Sequence, residues 1–427
     1  MKTSNTQQPC VAIIGAGCSG LAAIKMLREA GLNNIVCFEK NDQLGGNWVY
    51  SEKEGHSSVC ETTHIISSKK LSVFSDFPMP AEYPDYPSHR QLLRYFQDYA
   101  EQFDLNRFIR FNTAVESANE LPDQRWNLRL SDGSSVDFDY LLVANGHHSV
   151  PRHPDWKDDF KGRYLHAHAF KHNRGFENQR VLVVGAGNSA CDCAVEISRV
   201  NEQVDISVRT PQYIVPKFFM GRATDSFAAV MSRLPRPLQD VLQRISLRIQ
   251  VGRYRDYGLP EPDFPVTRAH PTVNSELLER IRHGRVRPRP GIDSIEGKTV
   301  RFTDGSSAAY DTIVAATGYE VKFPFFPDGF LSWENATRIP LYLRVFHPEH
   351  PRLFFIGLVQ PQGSVWPLSE AQARLVGRLI AGTWRLPADW KKRAYAEGEA
   401  IERHFLKRPR HALEVHFFPY LRQLQNS

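Results

Sequence analysis

Apolar positions along the chain fall into short runs of four or five residues, separated by longer stretches in which they recur at helical spacing. Val11–Ile14 runs into Gly15-Ala16-Gly17-Cys18-Ser19-Gly20, then an amphipathic stretch to Ala30, then the run Ile35–Phe38. Val181–Val184 leads in the same way into Gly185-Ala186-Gly187-Asn188-Ser189-Ala190 and on to Val204–Val208. A buried strand, a tight turn, a helix and a second strand make a βαβ unit, so the chain predicts two of them. A further helix is predicted from about Ser88 to Phe103, with Leu92, Phe96, Tyr99 and Phe103 on one face directed into a core.

A second repeat supports the pairing. Leu130–Gly146 aligns without a gap to Phe302–Gly318, and each copy reads as a strand, an Asp-Gly turn and a strand running into a buried segment that stops at glycine. The predicted class is therefore α/β, with two nested Rossmann-like dinucleotide-binding domains. Residues 1–148 begin the first domain, 149–310 form the second, and 311–427 return to the first. Residues 212–290 break the alternation with Pro-rich joints and the amphipathic stretch Leu238–Ile249, which carries Arg244 and Arg248. This is expected to be a helical insertion that packs near the substrate entrance, with a membrane-surface role as the alternative.

The glycine turns carry the candidate chemistry. In such a unit the glycines let backbone N–H groups and a helix N-terminus approach a pyrophosphate, and the residue ending the second strand meets the ribose. Nineteen residues beyond Gly20 stands Glu39, followed by Lys40, and nineteen beyond Ala190 stands Arg209, followed by Thr210. A carboxylate accepts bonds from free ribose hydroxyls and repels a 2′-phosphate, which suits FAD or NAD. A guanidinium fork suits the 2′-phosphate of NADPH, its plainer reading being a solvated charge at a strand end.

Composition narrows the class. The chain has 427 residues, a net charge of +6, 41% hydrophobic and 23% charged residues, as in an ordinary two-domain globular protein. No basic run is interleaved with aromatics, so nothing points to nucleic acid. Neither a leader-like apolar segment nor a run of about 18 apolar residues occurs, and six cysteines lack a disulfide or metal-ligand spacing. The expectation is a cytoplasmic protein without metal, membrane span or nucleic-acid partner, with a homodimer left open. Cys191 and Cys193 lie two apart on a helix and cannot face each other, which argues against a dithiol reductase.

Between the two halves, Phe160-Lys-Gly162-Arg-Tyr-Leu-His166-Ala-His-Ala-Phe170 has the form FxGxxxHxxxF and ends fifteen residues before Gly185. With the two glycine turns, it resembles the class B flavin-containing monooxygenases over nearly the whole chain. Leu44-Gly45-Gly46-Asn47-Trp48 is similar to that family's flavin-contacting segment. Ala144–His148 and Ala315–Tyr319, with Thr317 and Gly318, resemble its two inter-domain hinges. Phe355–Gln360, Gly363-Ser364 and Glu370–Arg374 resemble its C-terminal flavin-covering strand and helix.

The resemblance implies FAD and NADPH as cofactors and an NADPH-dependent monooxygenase that inserts one atom of O2 into a small molecule through a flavin C4a-hydroperoxide. Phe170 in place of Trp favours soft nitrogen or sulfur nucleophiles over Baeyer–Villiger oxidation of ketones. His166 is implied to shape the linker and position NADP, beside its reading as a satisfied structural histidine. One departure concerns a flavin-adjacent Asn of the family, which aligns with Ile66, leaving His64 or Ser67 to supply a polar contact. That keeps open an uncoupled NADPH oxidase or flavin reductase and, further off, a redox sensor that uses FAD structurally.

Overall fold

The computed structural model describes residues 8–53 and 55–427. They form two compact units. The first comprises the described residues up to Val49, Lys69–His147 and Val321–Ser427; the second comprises the described residues of 50–68 and His148–Glu320.

The first unit is organised by a five-stranded parallel sheet in the order Leu353–Phe355, Tyr140–Val143, Val11–Ile14, Ile35–Phe38, Ile109–Arg110. Val11–Ile14 is central and buried throughout, as expected of a strand covered on both faces. A three-stranded antiparallel layer, Val115–Glu120, Trp126–Leu130 and Ser135–Phe138, follows. Its inward residues Trp126, Leu128 and Phe138 join Ile14, Phe38, Leu141 and Phe355 in one core. The helix Cys18–Glu29 lies against the helix Trp366–Ile380, where Gly377 admits close approach: a Cβ there would stand 3.0 Å from Met26 O. The predicted helix at Ser88 spans His89–Gln102, with Ser88 and Gln91 completing a capping box. Leu92, Phe96 and Tyr99 are fully buried, and the Tyr99 ring stacks on Phe74 at 4.0 Å.

The second unit repeats the plan. Its parallel sheet runs Val286–Arg289, Val204–Ser207, Val181–Val184, Thr312–Ala315, Arg163–His166. The antiparallel strands Ile292–Glu296, Thr299–Phe302 and Ser307–Ala309 follow. The internal repeat is thus a three-dimensional one, with Gly133 and Gly305 at matching left-handed turns of φ +83° and +82°.

Three expectations need correction. Thr312–Ala315 pairs in register with Val181–Val184, so the chain returns to the first unit at Val321 and not at 311. Val286–Arg289, within the expected insertion 212–290, is instead an edge strand of the main sheet, where the missing N–H of Pro288 is tolerated. The stretch Leu238–Ile249 is helical, within Arg236–Gln250, but does not pack by its apolar stripe: Leu247 is its one buried residue and lies opposite that stripe.

Candidate functional site

In the first unit the strand Val11–Ile14 delivers the chain into a turn whose three glycines have different reasons to be glycine. Gly15 has φ +100°, and a Cβ on it would meet Ala144 O at 2.9 Å. On Gly20 a Cβ would lie 1.9 Å from Gly15 O, so this residue closes the turn against the helix. Gly17 differs. Its φ of −75° suits any residue, and the nearest atom to an added Cβ is Gly46 Cα at 3.7 Å. Protein packing therefore does not demand glycine at 17. Gly17 is also the N-cap of Cys18–Glu29 and offers no side-chain acceptor, leaving first-turn N–H groups free to meet an anion.

Glu39 sits just past the neighbouring strand, 4% exposed. Its Oε2 accepts from Ala16 N at 2.8 Å, and its Oε1 from Asn41 N at 3.0 Å and Asn41 Nδ2 at 2.9 Å. The carboxylate is thereby aimed at the turn with acceptor capacity to spare on Oε2. Lys40 is exposed. Gly46, Asn47 and Trp48 form a 3-10 turn against Gly17, and the Trp48 ring meets Trp366 edge-on at 6.1 Å. Nearby in sequence, Ser364 Oγ and Trp366 Nε1 are buried without a hydrogen-bond partner. Ser19 Oγ and Ser369 Oγ are 2.9 Å apart, tying the turn to the C-terminal helix. Gln360 is half-buried on the short strand Gln360–Pro361. Burial pushes the Cys18 thiol up to about 11, so it stays neutral.

In the second unit Gly185 has φ +135° and would bring a Cβ within 2.6 Å of Ala316 O. Ala190 at the third glycine position is fully buried, and Gly187 again caps its helix, Asn188–Ile197, without a side-chain bond. Ser189 is exposed. Arg209 and Thr210 stand exposed beyond Val204–Ser207, and the Arg209 stem passes over Gly291, where an added Cβ would lie 3.2 Å from Arg209 Cγ. On the same strand, Asp205 is held by Arg287 at 2.9 Å, Arg289 at 2.8 Å and Tyr310 Oη at 2.6 Å.

A clamp on this turn had escaped notice in the sequence. Thr272 Oγ1 donates to Ala186 O at 2.7 Å, Val273 N donates to Asn188 Oδ1 at 2.7 Å, and Asn274 Nδ2 donates to Asp192 Oδ1 at 2.9 Å. Asn274 Oδ1 also accepts from the N–H groups of Glu276 and Leu277. The available signal was an Asn ahead of the helix Leu277–Arg282, a local capping pattern that does not announce its long-range partner.

The FxGxxxHxxxF segment has a steric account. Phe160 and Phe170 are buried, and a Cβ on Gly162 would strike the Phe160 ring at 2.4 Å and Asp311 O at 2.6 Å. His166, 5% exposed, ends the strand Arg163–His166; its Nδ1 accepts from His168 N at 3.1 Å, while its Nε2 is buried without a partner. Burial, then the neighbouring His153 and His168, pushes His166 down to about 4, so the ring is neutral near pH 7. The two connectors pair with each other, Tyr319–Glu320 antiparallel to Val150–Pro151, and Thr317 Oγ1 donates to Arg152 O beside Gly318 at φ +88°. His64, Ile66 and Ser67 belong to the second unit's segment 50–68: His64 is exposed with Nδ1 2.8 Å from Thr62 O, Ile66 is half-buried and Ser67 buried.

A protein-family profile described as Flavin-binding monooxygenase-like matches residues 8–427. The chain belongs to this family. Flavin-containing monooxygenase 2 of Homo sapiens is 35% identical, with 89% of this chain and 74% of the relative aligned. Flavin-containing monooxygenase 5 of Homo sapiens is 33% identical over 97% and 81%. Among solved structures, S-allyl-L-cysteine S-oxygenase from Allium sativum superposes with a TM-score of 0.72 at 22% identity, covering 98% of this chain and 88% of the other. Cyclohexanone monooxygenase gives 0.72 at 20% identity, over 99% and 98%. As a flavin-binding monooxygenase the protein is an oxidoreductase, and the vacant side of Gly17 beside the first-turn N–H groups fits a flavin dinucleotide's pyrophosphate. Among the described residues no cluster of His, Cys, Asp and Glu is disposed to hold a metal ion.

Proposed function

We propose that this monooxygenase binds FAD at Gly15–Gly20 and Glu39, binds NADPH at Gly185–Ala190 and Arg209, and transfers one atom of O2 to a soft nitrogen or sulfur nucleophile. The carrying observation is the pair of glycine turns built alike on parallel sheets, one ending in a buried, aimed carboxylate and the other in an exposed guanidinium. When bound, the nicotinamide supplies a hydride and the flavin the redox centre that engages O2.

The protein's own residues bind and orient. Gly17 leaves the pyrophosphate its approach, Glu39 accepts from ribose hydroxyls, and Gly46-Asn47-Trp48 and Gln360 border the same site. Arg209, with Thr210 beside it, holds the 2′-phosphate over Gly291. His166, neutral and accepting at Nδ1, carries its proton on Nε2 and positions NADP by donating from that nitrogen. A relative 35% identical is named for N-oxide formation, which favours a soft nucleophile as acceptor; the structural neighbours, named for S-oxygenation and for cyclohexanone, support the fold alone. No described helix is long and apolar enough to cross a membrane.

Incubating the protein with NADPH, O2 and a panel of sulfides, tertiary amines and ketones tests this. Sulfoxide or N-oxide formed in step with NADPH consumed supports it; lactone or ester as the main product moves the function to ketones. Hydrogen peroxide alone would make the protein an oxidase, a reading favoured by the apolar Ile66.

A further inference from the structure

The helix Arg236–Gln250 turns its apolar stripe outward. Leu238, Val241, Leu242, Ile245 and Ile249 are between 39% and 77% exposed, and they make up half of the large apolar side chains exposed among the described residues. At 100° per residue the five share an arc of about 100°, directly opposite the buried Leu247. Water-facing apolar surface of this continuity marks a contact face.

Its charge identifies the partner. Arg244 and Arg248 edge the arc and are exposed. From Arg233 to Arg255 there are six arginines against one acid, Asp240, whose carboxylate already accepts from Thr267 N at 3.0 Å. Arg248 has Glu261 3.8 Å away, but a second copy meeting this face would still bring two sets of arginines to one seam with Asp240 as the one acid on the helix itself. An anionic surface neutralises them instead.

We propose that this face docks the protein on an anionic lipid surface. The helix, about 22 Å long at 1.5 Å per residue, lies in the membrane plane, its five apolar side chains at the acyl boundary and its arginines at the depth of the lipid phosphates. The docking is peripheral, since no described helix is long and apolar enough to span.

The test sediments the full-length, flavin-loaded protein with vesicles of phosphatidylcholine alone or with about 30% phosphatidylserine. The expected result is co-sedimentation with the mixed vesicles, weakened in about 0.5 M salt. I245S/I249S should abolish it while leaving flavin content and melting temperature unchanged, because both side chains face water. R244Q/R248Q should weaken it by about 25-fold, roughly fivefold per arginine. Absence of co-sedimentation, or binding that I245S/I249S leaves intact, overturns the proposal. So does a dimer in sedimentation velocity that I245S/I249S dissolves, which would assign the face to a second copy.

Discussion

Gly17 and Gly20 stand three residues apart in one turn, and substituting each by alanine separates a residue kept open for a ligand from one required by the fold. At Gly17 the backbone is at φ −75°, ψ −173°, and an added methyl meets nothing closer than 3.7 Å, in ordinary contact. Gly17→Ala should therefore change apoprotein stability by less than about 1 kcal/mol, the scale of a strain-free glycine replacement offset by a slightly poorer N-cap. The same methyl occupies the approach to the first-turn N–H groups. An overpacked contact costs about 1–3 kcal/mol, so FAD should bind roughly 5- to 150-fold more weakly. At Gly20 the methyl lies 1.9 Å from Gly15 O, a backbone atom that cannot rotate away. Gly20→Ala should lower stability by more than about 3 kcal/mol, with or without flavin. Thermal unfolding of the flavin-stripped proteins gives the first quantity and quenching of FAD fluorescence on titration the second. A Gly17→Ala apoprotein that melts far below the parent, or one that takes up FAD as tightly, would refute the reasoning.

Other substitutions probe the second site and its surroundings. Arg209→Ala should erase most of a preference for NADPH over NADH of about tenfold or more, because charge-assisted bonds are worth about 1.5–3 kcal/mol; the ratio of kcat/KM values measures it. Thr272→Val removes the bond to Ala186 O and should raise KM for NADPH about 5- to 10-fold with flavin content and kcat unchanged, while Thr272→Ser restores it. Ile66→Asn should reduce the share of NADPH turnover released as hydrogen peroxide, as read by a peroxide assay under steady turnover. His166 titrates near 4 when folded and near 6.5 when unfolded, so the unfolded chain takes up the proton first on acidification. Its contribution is present above pH 6.5 and lost as pH falls toward 4, on the order of 3 kcal/mol, and His166→Gln should flatten that limb of the stability curve from chemical denaturation.

What the sequence determined by itself is what depends on neighbours along the chain. Short apolar runs, helical apolar spacing and a glycine turn between them are local, and they sufficed for two parallel βαβ units, the helix at Ser88 and the placing of Glu39 beside the first turn. Tertiary structure alone decided the matters that rest on partners far away in sequence. Val286–Arg289 became a strand by pairing with Val204–Ser207 on the sheet edge, and Thr312–Ala315 joined the second sheet by pairing with Val181–Val184. The clamp of Thr272, Val273 and Asn274 spans more than eighty residues, and no local pattern encodes which carbonyl a threonine will meet. The helix Arg236–Gln250 shows the limit most directly. Its stripe is fully legible as amphipathic, yet periodicity specifies only that one face is apolar; whether that face meets a core or water depends on what else the chain brings against it.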